Sequence, residues 1–112
     1  MFDRGFLFSV LLIGSTIAVA GCKPLPSSKP AAEWTAQEAR GAAVFQARCA
    51  RCHYATNTRT LTGPGLQALT KSGAAPSDAQ LSATIRNGRM AMPGTRLSQN
   101  ELEDLIAYLH TL

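Results

Sequence analysis

Two thiols and an imidazole lie within five residues at Cys49-Ala50-Arg51-Cys52-His53. In a C-x-x-C-H run the two cysteines can form thioethers to the vinyl groups of a haem while the histidine ligates its iron. If the run continues a helix, Cys49, Cys52 and His53 stand at i, i+3 and i+4, projecting from one face toward a single flat cofactor. Other chemistries suit the chain less well. A structural zinc needs about four ligands, and beyond this run only His110 and Cys22 offer an imidazole or a thiol. A thioredoxin-like dithiol sits beside a βαβ pattern, and the sequence has no such alternation.

A haem iron has a second axial position, and a soft thioether there favours the ferrous state and raises the potential, which suits electron transfer. Arg89-Met90-Ala91-Met92-Pro93-Gly94 offers two such sulfurs. Pro93 fixes the backbone behind Met92 and favours it as the ligand. Met90 reads as a flexible apolar gap-filler against the haem edge. The competing arrangement is an open or differently ligated sixth position, as in a haem sensor or a peroxidase-like site, and Met92-Pro93 argues against it. On the histidine side, the polar loop Tyr54 to Thr62 ends in Gly63-Pro64-Gly65-Leu66. Proline has no amide hydrogen, so carbonyls near it face few competing donors. One of them can accept from the second ring nitrogen of His53 and fix its tautomer and ring plane; without a haem the stretch is simply a turn.

Three capping boxes open the elements that must position these groups: Thr35 with Glu38, Ser77 with Gln80, and Ser98 with Glu101. The first helix runs to about Arg48, with Gly41, Val44, Phe45 and Arg48 at helical spacing. Glycine inside a helix costs about 1 kcal/mol relative to alanine, so a close approach is expected at Gly41. The second helix places Leu81, Thr84 and Ile85 on one face and stops at Gly88. Leu66 to Lys71 is at most a short helix. The last helix, to about Leu112, sets Leu102, Leu105, Ile106 and Leu109 at i, i+3, i+4 and i+7. Tyr108 on it is suited to fill the space left by Gly41, while His110 is expected at the surface. The expectation is an all-α fold, three to four helices wrapped around one haem that staples a thin core.

Ahead of these helices, Phe6 to Ala20 is an apolar run after Arg4, matching the hydrophobic region of a signal peptide. It is shorter than the ~20 residues of a membrane-spanning helix. Val19-Ala20-Gly21-Cys22 resembles the lipobox of bacterial lipoproteins, which are cut before the cysteine and carry a diacylglycerol on its thiol. The chain of 112 residues then divides into a leader at 1–21, a lipid-anchored flexible linker at 22–34 and a haem domain at 35–112. Lys23 to Glu33 contains Pro24, Pro26 and Pro30, and extended at ~3.1 Å per residue such a tether reaches about 35 Å. The cysteines are all used, two as thioethers and one as the anchor, with none left for a disulfide. A periplasm-facing, membrane-anchored location follows. Lys23 differs from the aspartate that retains enterobacterial lipoproteins at the inner membrane, which favours the outer membrane.

The formal net charge is +4, and a leader carrying both Arg4 and Asp3 leaves it unchanged. A modest basic excess suits docking on an acidic protein surface. The basic residues are scattered with no basic helix, which excludes a nucleic-acid partner. Arg48, Arg51, Lys71, Arg86, Arg89 and Arg96 are candidates for a docking rim, with Arg59 as a partner for a haem propionate.

With Gly41, Phe45, Cys49-x-x-Cys52-His53, Gly63-Pro64-x-Leu66, Asn87-Gly88-x-x-x-Met92-Pro93 and Glu103 to Leu109 in this order, the chain resembles a class I monohaem cytochrome c over residues 35–112. The resemblance implies that the first and last helices cross at Gly41, Phe45, Leu105 and Tyr108, and that Pro64 supplies the carbonyl to His53. It implies one haem c on Cys49 and Cys52, ligated by His53 and Met92. The function expected is a one-electron carrier in a periplasmic respiratory or dehydrogenase-linked chain, not an enzyme, with protein donors and acceptors and no small-molecule substrate. The alternative is a dedicated electron-transfer subunit of a periplasmic oxidoreductase complex.

Overall fold

Each capping box closes as a reciprocal pair in the computed structural model, which describes residues 21–112. Thr35 Oγ1 accepts from the Glu38 amide at 3.1 Å while the Glu38 carboxylate accepts from the Thr35 amide at 2.9 Å. Ser77 with Gln80 and Ser98 with Glu101 repeat the exchange. A satisfied cap is worth about 1 kcal/mol, and the three fix where α1 (Ala36–Arg48), α2 (Asp78–Asn87) and α3 (Gln99–Leu109) begin. Apart from Gly21, the leader expected at 1–21 lies outside the described residues. Among the described residues no helix is long and apolar enough to cross a membrane.

The core forms where α1 crosses α3. Gly41 is buried, and a Cβ there would strike the Asp104 carbonyl and the Tyr108 Cβ, so the missing side chain is what lets the backbones touch. One turn on, the Phe45 and Tyr108 rings pack with centroids 5.4 Å apart and planes tilted by 54°. Trp34 meets the other side of Tyr108 edge-on, also at 5.4 Å. Burial pushes the Tyr108 phenol above its ordinary pKa. Leu102, Leu105 and Leu112 are at most 2% exposed, each contributing about 1.5–3 kcal/mol by leaving water. Leu81 and Ile85 bring α2 into the same cluster. At the rim, Arg40 bonds Asp104 at 3.0 Å.

Three segments depart from the sequence reading. Leu66 to Lys71 forms turns rather than a short helix, because Ala68 is buried with φ of 58° and the Leu66 amide is taken by the Tyr54 carbonyl at 2.8 Å. A left-handed residue ends any helix that reaches it. After α2, Gly88 at φ 76° turns the chain into a two-residue antiparallel pair, β1 (Gly88–Arg89) and β2 (Met92–Pro93), with Gly88 opposite Pro93 and Arg89 opposite Met92. Met90 begins the hairpin loop at φ 54°, as two-residue hairpin turns require. It is 97% exposed and fills no gap in the chain's own packing.

The third lies ahead of α1. Residues 26–34, expected to belong to a free linker, make contacts with the domain that begin at Pro26 and include a 3₁₀ turn at Ala31–Glu33. His110 does sit at the surface, but it is not idle. Its Nε2 lies 2.7 Å from Asp78 Oδ1, joining the end of α3 to the start of α2.

Candidate haem site

α1 ends one residue before the C-x-x-C-H run, so the run is not a helical extension. Cys49 caps the helix with φ −118° and ψ −33°. The Cys49 carbonyl then accepts from both the Cys52 amide at 3.1 Å and the His53 amide at 3.0 Å. That extra turn keeps Cys49, Cys52 and His53 close in space even though the regular helix has stopped. Phe45, whose carbonyl receives the Cys49 and Ala50 amides at 2.8 and 3.0 Å, ties the turn to the α1–α3 crossing.

The loop after His53 folds back onto this turn. The Gly63 amide donates to the Cys52 carbonyl at 2.7 Å, and the Leu66 amide to the Tyr54 carbonyl. Between these bonds the Pro64 carbonyl lies 2.8 Å from His53 Nδ1. A carbonyl can only accept, so Nδ1 carries the hydrogen and Nε2 presents a lone pair. Gly63 lies close against the ring, where a Cβ would run into Cε1 and approach Nδ1 to 2.9 Å. Gly65 is equally constrained, since a Cβ there would meet the Asn57 carbonyl.

This donor set answers whether the residues fit a covalently held haem. They present two thiols, an imidazole of fixed tautomer and a thioether on a separate strand pair. Burial, with the neighbouring Cys52 thiol second, pushes the Cys49 thiol up to about 11. A redox-active dithiol needs the opposite, a thiolate at neutral pH.

A family model described as cytochrome c oxidase, cbb3-type, subunit III matches residues 36–109. The chain belongs to the class I monohaem cytochromes c. Relatives agree with the family match. A cytochrome c6 of Cyanidioschyzon merolae is 34% identical over 82 residues, covering 68% of this chain and 75% of the relative. One from a Synechococcus species is 37% identical over 80 residues, 68% and 70% of the two chains. A third, from Limnospira maxima, is 36% identical over 78 residues, 63% and 88%. This cytochrome is thus a small electron-carrying protein with one covalent haem c, and Cys49 and Cys52 match the attachment motif.

Met92 is half-buried in β2, held by its pairing with Arg89. The strand pair itself depends on glycine, because a Cβ on Gly94 would meet the Arg86 carbonyl. Gly63, Gly65 and Gly94 as close-approach positions were not singled out from sequence. The available signal was their place beside a proline or in a Gly-Pro-Gly run. The basic residues divide into two groups. Lys71 donates to the Ser27 carbonyl at 3.2 Å and Arg86 to Gln99 at 2.7 Å, and Arg59 lies over the Tyr54 ring at 5.2 Å. All seven are exposed, and the contacts just given set Lys71, Arg86 and Arg59 apart from Arg48, Arg51, Arg89 and Arg96.

Proposed function

We propose that this cytochrome is a membrane-tethered one-electron carrier, with Cys49 and Cys52 bearing the haem, His53 and Met92 as axial ligands, and Cys22 carrying the lipid. When bound, the haem supplies a one-electron couple between ferric and ferrous iron. The chain's own residues hold that site still. Pro64 fixes the imidazole through Nδ1 and leaves Nε2 as the donor. Gly63, lacking a Cβ, leaves the room that the ring occupies. Leu66, Leu69, Leu97 and Ala55 pack against the core, the kind of apolar surround that excludes water and tunes the potential. No bond of a substrate is made or broken. The 2.8 Å contact between His53 and Pro64 carries this reading, since a strictly fixed ligand suits a centre that changes charge with little rearrangement.

The location that goes with it is a periplasm-facing lipoprotein, outer membrane over inner, in a respiratory or dehydrogenase-linked chain. Its partners are protein donors and acceptors with acidic docking surfaces. Optical spectra of the oxidised and reduced protein, with and without carbon monoxide, test the ligation. The ferric band of iron–methionine bonding should be present and the reduced spectrum unchanged by carbon monoxide. Ready carbon monoxide binding would instead mark an open sixth position and a sensor or peroxidase-like site.

A second reading is supported by the family model, whose description is that of an oxidase subunit. In that case the same domain serves one oxidoreductase complex. Mild detergent extraction separates the two: a free carrier leaves the membrane alone, and a subunit leaves in a stoichiometric complex.

A further inference from the structure

The segment between Cys22 and α1 is bound to the domain at several independent points. The Pro26 carbonyl accepts from Gln67 Nε2 at 3.1 Å, and the Ser27 carbonyl from Lys71 Nζ at 3.2 Å. The Lys29 amide donates to the Thr111 carbonyl, just past α3, at 2.7 Å. The Lys29 ammonium pairs with Glu38 at 2.8 Å, and the Lys29 carbonyl accepts from the Trp34 indole at 3.1 Å. Trp34 in turn packs on Tyr108, and the Ser28 hydroxyl is buried. A free linker spends its backbone polar groups on water. This one spends several on the domain.

We propose that residues 26–34 form a strap that turns the Gln67–Lys71 face of the haem domain toward the bilayer, leaving Cys22 to Leu25 as the slack in the anchor. The proposal rests on the lipid-anchor reading of Cys22. From Cys22 to Pro26 an extended chain spans about 14 Å, at ~3.3–3.6 Å per residue, where a free linker to Glu33 would allow about 35 Å. With that slack, the strapped face cannot turn far from the point where the lipid enters the membrane.

The composition of this face matches a bilayer surface. Leu25 is an exposed apolar side chain beside the anchor, 53% accessible. Lys23, two residues before Leu25, and Lys71, bonded to the Ser27 carbonyl two residues after it, are both exposed, and basic residues close to a membrane are attracted to anionic headgroups. Gln67 and Lys71 follow the Pro64 loop directly, so the histidine side of the site lies next to the strapped face. A redox partner must then reach the domain from the membrane plane or from the opposite side.

The test uses the full-chain holoprotein in phosphatidylglycerol-containing liposomes. Amide hydrogen exchange reads the strap. Spin labels on Ser72→Cys, beside Lys71, or on Asn100→Cys, in the first turn of α3, read membrane proximity through a headgroup-bound nickel chelate. Lys29 and Trp34 amides should exchange at least about tenfold more slowly than those of residues 23 and 25, and the label at position 72 should meet the chelate several-fold more often than that at position 100. Free exchange throughout 26–34 overturns the strap. A protected strap with equal chelate contact at both positions overturns the membrane-facing assignment. An intact mass without diacylglycerol on Cys22 overturns the anchor reading. Exchange in the soluble Cys22→Ser protein shows the strap independently of the lipid, so the failures are distinguishable.

Discussion

At the α1–α3 crossing, Leu102, Leu105 and Leu112 are almost wholly buried and many apolar contacts share the load. Around His53 and Met92 the chain is held by single contacts: one carbonyl at 2.8 Å, a two-residue strand pair, and glycines whose missing Cβ leaves room for a ring or a carbonyl. The first region loses stability in proportion to the area or volume removed. In the second, adding one carbon matters more than removing several, and the loss should show in the site before it shows in the fold.

The comparison breaks most completely at the junction of the two regions. Cys49→Ala or Cys52→Ala should leave little folded product, read as the yield of helical, haem-bearing protein. Normal yields of helical protein without covalent haem would mean the crossing stands without its staple. Next in size, Leu105→Ala should cost about 2–5 kcal/mol and Gly41→Ala about 1–3 kcal/mol through overpacking. Both would appear as lower denaturant midpoints with the native spectrum kept until unfolding.

Gly63→Ala should do the reverse. Its cost in stability should be about 1–3 kcal/mol, but the new methyl meets the His53 ring, so the potential and the axial-ligand spectrum should change while far-ultraviolet dichroism does not. A changed midpoint with an unchanged spectrum would put this loop in the same class as the crossing. Met90→Gly should stabilise by about 0.5–1 kcal/mol, by relieving a left-handed non-glycine residue, and leave the spectrum alone. Met92→Ala should open the sixth position to carbon monoxide.

The smallest effect belongs to Glu38. Hydrogen bonds from Lys29 and then from the Thr35 amide hold its carboxyl below the ordinary value of 4.5. A depressed folded pKa stabilises above the unfolded value, and the contribution is lost as pH falls through the lower folded value. The stability difference between the native protein and Glu38→Gln should therefore shrink on acidification below about pH 4.5. A difference that persists at lower pH would show that the carboxylate's charge is not what matters.

The same division governs what the sequence disclosed. The three helix starts were legible because each capping box is a local pattern, and the crossing was legible because Leu102, Leu105, Ile106 and Leu109 repeat with the helical period. The Gly63-Pro64-Gly65 turn marked where a carbonyl could meet the histidine, and the resemblance to class I cytochromes c implied that it is Pro64, eleven positions past His53. What stayed hidden depends on tertiary neighbours. Ala68 adopts positive φ because Tyr54 and Asn57 take the amides of the preceding residues, and nothing in Leu66 to Lys71 announces it. The strap was hidden for the same reason. Its prolines and serines suit an extended chain, and the partners that hold it, Gln67, Lys71 and Thr111, lie at least 41 positions away.

The bond from the Gly63 amide to the Cys52 carbonyl closes residues 53–62 into a ring whose neck is already fixed. Lengthening a loop with a fixed neck costs only about 0.6 kcal/mol per doubling. The tip at Thr58 to Leu61, which is exposed, is therefore a natural insertion port. A reporter peptide, an affinity handle or a second binding module could be grafted there while His53 keeps its carbonyl partner.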